Sequence, residues 1–188
     1  ASESVDLAFF NLALTYYKKR LDLVSDEDWS REYSNTKTLF EKAAETAMVC
    51  DSDHLGDLWI KTLLEKSKHQ LDAVTAYEIK LNYLTGKHDF VGAVKLLLEV
   101  LEQLNFTIKR HPSQPAIMKE LAQTLWVLKN KKIKDLVDLP LMEDERVFSF
   151  MKLTVKGATS IFGTAPDILP IVFFRQVRFS VKYGNCVY

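Results

Sequence analysis

The alternation of apolar and polar positions is sharpest between Leu71 and Asn105. Val74, Tyr77, Leu81 and Leu84 recur three and four residues apart, which places them on one stripe of an α-helix. After a polar turn, Gly86-Lys87-His88-Asp89, a second stripe of the same period runs through Phe90, Ala93, Val94, Leu97, Leu98 and Leu101. Gly86, which lacks a Cβ, is expected to take the left-handed conformation that closes the first helix, and Asp89 to cap the second. A lone pair of this kind cannot bury both stripes, so the pattern predicts neighbours of the same type.

The same period recurs on both sides. A first helix is expected over Ser4 to Val24, with Phe9, Ala13, Tyr16, Tyr17 and Leu21 on its stripe. Ser25 and the acids after it supply an N-terminal cap for a second, running to Cys50 through Trp29, Tyr33, Leu39, Phe40, Ala43, Ala44 and Ala47. Asp51-Ser52-Asp53 breaks the pattern and caps a third, carrying Leu55, Leu58, Trp59 and Leu63. Aligning Leu55 and Leu58 with Phe90 and Ala93 gives a period of about 35, in the range of tetratricopeptide-type helical hairpins. Phe106 to Pro115 is expected as a proline-bearing linker. A helix from Pro115 then carries Ile117, Leu121, Leu125, Trp126 and Leu128 and ends in the basic run Lys129 to Lys134. Helices over Glu143 to Phe162 and Pro166 to Tyr183 complete the chain, with about eight in all and essentially no strand. The expected fold is all-α: antiparallel hairpins stacked as a degenerate, tetratricopeptide-like right-handed solenoid. It forms one domain over residues 1–188, with repeat hairpins at 1–105 and a C-terminal helical part at 113–188. Leu58, Tyr77, Leu81, Phe90, Ala93, Leu97 and Trp126 are expected in the core.

The last helix is apolar on several sides, through Ile168, Ile171, Val172, Phe173, Phe174, Val177, Phe179 and Val181. Phe173, Phe174, Val177 and Phe179 are therefore expected to divide between a packed face and an outward face. The outward face would take a neighbouring helix or domain, or a second copy in a homodimer through this helix. An end so apolar reads as part of a longer chain.

Composition narrows the function classes. Of 188 residues, 25 are Lys or Arg and 25 are Asp or Glu, so the net charge is zero and a dedicated nucleic-acid binder is disfavoured. The two cysteines, Cys50 and Cys186, follow no ligand spacing and suit a reducing, cytoplasmic setting. Ile168 to Val181 is interrupted by Pro170, Arg175 and Arg178 and is too short to span a bilayer, so no membrane insertion is expected.

Candidate chemistry is sparse. Gly157 to Gly163 lacks the lysine of a phosphate-binding loop. His54, His69, His88 and His111 are scattered, and Glu65 with His69 reads as a surface pair rather than a metal site. Asp51 and Asp53 are explained by helix capping. The Lys129 to Lys134 run reads as a solvated helix end, with contact to phosphates or an acidic membrane surface as the alternative. Tyr16, Tyr17, Trp29, Trp59, Tyr77 and Trp126 read as core. No catalytic, cofactor-binding or metal-binding residue is expected. Glu78 and Asn82, one turn apart and off the stripe, are the candidates for a partner groove.

Several segments together resemble one family. They are Asp28-Trp29 with Tyr33, Tyr77-Glu78-Ile79-Lys80 followed by Leu96 to Leu104, the run Asp135 to Pro140 with Met142, Asp144 and Met151, and Lys182-Tyr183-Gly184-Asn185. The likeness, from Ala13 to Asn185, is to the helical-repeat region of large multidomain signalling proteins. Those proteins join a protein-kinase-like domain, a signal-transduction ATPase of the AAA/STAND type, tetratricopeptide-like repeats, a GAF domain and often a sensor histidine kinase of a two-component system. The resemblance implies a non-enzymatic regulatory scaffold whose partners are protein segments or neighbouring domains of the same parent protein, with the catalytic sites elsewhere. A free-standing adaptor, or the sensor arm of a transcription regulator, is the alternative.

Overall fold

A computed structural model of the chain describes residues 2–129 and 131–187, with only the backbone described at 2–7 and 133. Among these residues there are ten α-helices and no strand: α1 (Ser2–Leu21), α2 (Asp26–Arg31), α3 (Tyr33–Val49), α4 (Asp53–Lys66), α5 (Val74–Gly86), α6 (Phe90–Gln103), α7 (Gln114–Leu128), α8 (Glu145–Lys156), α9 (Ala158–Thr164) and α10 (Leu169–Tyr183). Short 3-10 turns lie at Gln70–Ala73, Ile133–Leu136 and Pro166–Ile168. The chain divides into two compact units, Ala1–Tyr83 and Leu84–Tyr188, with the boundary inside α5.

In the first unit α3 is central and packs on α1, α2 and α4. Ala43, Ala44 and Ala47 are completely buried, and their small side chains bring α3 close to Trp59, Ile60 and Leu63 of α4. The helix expected from Ser25 to Cys50 is broken at Glu32, where φ is −130° and ψ 47°. Packing accounts for the break. Trp29 and Phe40 lie eleven residues apart, about 16 Å along a continuous helix, yet their rings pack at 5.1 Å. The Thr36 hydroxyl donates to the Asp28 carbonyl at 3.3 Å across the bend.

The expected repeat register also changes. Leu58 is 48% exposed, while Trp59, Ile60 and Leu63 form the buried face of α4. These buried positions align with Ala93, Val94 and Leu97 of α6 at a spacing of 34 residues, so the 35-residue register was one residue out.

The second unit has its core among α6, α8, α9 and α10, with Val94, Leu97, Leu101, Phe150, Leu153 and Ile168 nearly inaccessible. The helix expected over Glu143 to Phe162 is split at Gly157, where a Cβ would lie 2.6 Å from Leu97 Cδ2. The segment after α6 is no free linker. Phe106 and Ile108 point inward and Thr107 and Lys109 outward, an extended alternation. Phe106 joins Phe150 and Phe179 in an aromatic cluster with centroids 4.9–5.4 Å apart.

Three helices close in the same way, and none uses glycine. Asp51, His88 and Asn105 have φ of 52°, 61° and 63°. After each, the next amide donates to the carbonyl five residues back: Ser52 to Ala47, Asp89 to Leu84 and Phe106 to Leu101. This is the Schellman closure. At the central turn His88, rather than Gly86, takes the left-handed position. Asp89 caps α6 as expected, accepting from the Gly92 amide at 2.9 Å, whereas Ser52 stands at the cap of α4 without a side-chain bond.

Candidate functional site

The residues singled out from the sequence are Glu78 and Asn82. They stand one turn apart on α5, with Glu78 half-buried and Asn82 exposed. No group of three or more His, Cys, Asp and Glu residues among those described could hold a metal ion. No helix of the described residues is long and apolar enough to cross a membrane. Cys50 and Cys186 are not joined in a disulfide, and burial pushes the Cys50 thiol above its ordinary range.

The polar network of the first unit is centred on Asp72. Its carboxylate accepts from the Tyr33 hydroxyl at 3.0 Å, Lys37 Nζ at 3.3 Å and the His69 amide at 3.3 Å. Burial works to raise the Asp72 pKa, but the hydrogen bonds from Tyr33 and Lys37 outweigh it and hold the carboxyl below its ordinary value. Burial likewise raises the Tyr33 phenol, whose ring lies 4.3 Å beneath the Lys68 ammonium. These contacts join the start of α3 to the turn before α5, which is a structural task.

The outward-facing site that sequence reasoning missed lies at the C-terminal ends of α7 and α10. Trp126 is expected in the core, but it is 79% exposed, and Leu125 beside it 59%. The reason is that polar residues share the packed face of α7 with the half-buried Ile117, Leu121 and Leu128. Glu120 accepts from Arg175 at 2.8 and 3.0 Å and from Arg178 at 2.5 Å. Thr124 donates to the Phe174 carbonyl at 3.2 Å. With these groups turned to α10, Met118, Ala122, Leu125 and Trp126 are left on the solvent side.

The other wall of the site is held by a clasp. Lys182-Tyr183-Gly184-Asn185 meets the segment Leu136 to Met142. The Asn185 amide donates to the Pro140 carbonyl at 2.7 Å, and the Met142 amide to the Asn185 carbonyl at 2.8 Å. Asn185 Nδ2 donates to the Leu136 carbonyl at 2.8 Å. Gly184, at φ 103°, lies where a Cβ would stand 2.2 Å from the Pro140 oxygen, so the position requires glycine. The clasp fixes the end of α10, and with it Lys182 and Tyr183.

Between these walls is a groove of about 720 Å³ lined by Trp126, Lys129, Lys131, Arg178, Lys182 and Tyr183, with Val127, Phe179 and Val181 between the charges. Arg178 is engaged by Glu120, and Lys182 lies 4.7 Å over the Tyr183 ring. Among the described residues Lys129, Lys131 and Lys182 form no salt bridge. Of the basic run, Asn130 lies outside the described residues. A second outward surface is on α10, where Phe173 is 53% and Val177 38% exposed while Phe179 packs inward. No family model, no curated protein and no solved structure matches this chain.

Proposed function

We propose that this chain is a non-enzymatic regulatory scaffold that binds protein segments or neighbouring domains within a multidomain signal-transduction ATPase or kinase of the cytoplasm. The observation that carries the reading is the outward face of α10. Burying a Phe or Val side chain is worth about 1.5–3 kcal/mol, and Phe173 and Val177 leave much of that gain unrealised. A partner that covers them recovers it. The 34-residue spacing of buried positions in α4 and α6 supports a tetratricopeptide-like, right-handed stacking of hairpins, in which Glu78 and Asn82 contribute to a partner groove. The signalling context rests on the resemblance of the segments around Trp29, Tyr77, Pro140 and Gly184.

The test uses the purified chain as bait, with identification of the proteins it retains, beside a Phe173→Ser/Val177→Ser variant. A protein held by the native chain and lost by the variant is expected. No retention, or magnesium-dependent ATP turnover that co-purifies with the chain, would overturn the reading. Self-association lost in the same variant would identify the covering partner as a second copy.

A further inference from the structure

We infer that the groove between the ends of α7 and α10 receives an acidic amphipathic helix of a partner protein, with its apolar side on Trp126 and its carboxylates on Lys129, Lys131 and Lys182. This rests on the reading of the chain as a protein-binding scaffold and concerns a surface separate from Phe173 and Val177.

Charge complementarity sets the sign of the partner. The three ammonium groups form no salt bridge among the described residues, and Arg178 is already satisfied by Glu120. The partner's shape follows from the exposed stripe on α7. Ala122 and Trp126 stand one turn apart and line, with Val127 and Arg178, the cleft that adjoins the groove, which suits the apolar side of a helix laid along it. Trp126, at 79% exposure, is the natural anchor, since tryptophan dominates the energetics of many interfaces.

Other anionic partners fit less well. A nucleic acid strand needs a continuous basic track, and the chain carries no excess of positive charge. A bilayer surface is flat, whereas this site is a groove with side walls.

The experiment titrates the intact chain into a fluorescein-labelled synthetic peptide of about 15 residues, roughly four helical turns, with leucine on one face and glutamate flanking it. Saturable binding is expected, weakened by added salt. Tryptophan emission should shift to the blue, because Trp29 and Trp59 are already buried and Trp126 is exposed. Lys129→Glu/Lys131→Glu/Lys182→Glu should raise Kd about tenfold or more. Trp126→Ser should raise it by at least about tenfold, with native circular dichroism in both variants. A peptide with lysine in place of glutamate should not bind.

No binding, binding indifferent to both variants, or tighter binding of a uridine oligonucleotide or of phosphatidylserine vesicles would overturn the proposal. The Phe173→Ser/Val177→Ser variant separates it from the α10 reading. Protein retention through α10 with no peptide binding removes the groove alone. Peptide binding with no protein retained removes the α10 surface alone.

Discussion

At the scale of single residues, the informative side chains are those whose conformation or charge the fold has committed. His88, Asp51 and Asn105 hold left-handed positions that glycine would fill without steric cost, and their residue types are those that tolerate the region best. Asp72 is committed by charge. Its folded pKa is depressed, so its stabilising effect is present above the unfolded value of about 3.9 and is lost as pH falls through the folded value. Asp72→Asn should therefore lower stability near neutral pH by about 1.5–3 kcal/mol, the range for a hydrogen bond to a charged group. The gap between variant and native chain should narrow once the pH is taken below the unfolded value of about 3.9 and through the folded one. Urea unfolding at neutral and acid pH checks this, and a gap that stays constant would contradict it.

At the scale of elements, the helices are positioned by a few close approaches and by polar pairs. Leu97 on α6 packs against the bare backbone of Gly157, where α8 gives way to α9. Leu97 is 2% exposed and has little freedom to move aside. Gly157→Ala should therefore cost about 1–3 kcal/mol through overpacking, even though alanine is the better helix former. A stabilised variant in chemical denaturation would show that the contact relaxes freely. Between α7 and α10 the Glu120 carboxylate pairs with both Arg175 and Arg178, with all three side chains under 20% exposed. That interaction explains why α7 turns Glu120 rather than Trp126 towards its neighbour.

At the scale of the whole molecule, two compact units divide the chain, and the second is closed by contacts between segments distant in sequence. The clasp of Gly184 and Asn185 on Pro140 is the clearest case. Gly184→Ala would place a Cβ against a backbone oxygen at a φ that other residues rarely adopt. Strain of about 1–3 kcal/mol is expected from the backbone alone. Hydrogen exchange should show the Met142 and Asn185 amides losing protection while those in the middle of α6 keep theirs. Unchanged protection at the clasp would mean that the segment reseats without it.

The sequence by itself determined the helical class, most helix positions, the buried stripe of α6 and the division of α10 into inward and outward residues. These follow from local periodicity, which a chain carries in every stretch of a few turns. Tertiary structure alone decided the breaks at Glu32 and Gly157, because each serves a contact with a residue remote from the break: Phe40 for the first, Leu97 for the second. It alone decided the exposure of Trp126 as well. Apolar periodicity assigns the inner face to hydrophobic side chains, and it cannot register that Glu120 and Thr124 have their partners waiting on α10. The packed segment at Phe106 and Ile108 escapes the apolar pattern for a related reason, since two inward residues ahead of the prolines are too few to reveal an extended period. The groove beside Trp126 exists only because segments 47 to 57 residues apart in sequence meet there, and no local pattern records such a meeting.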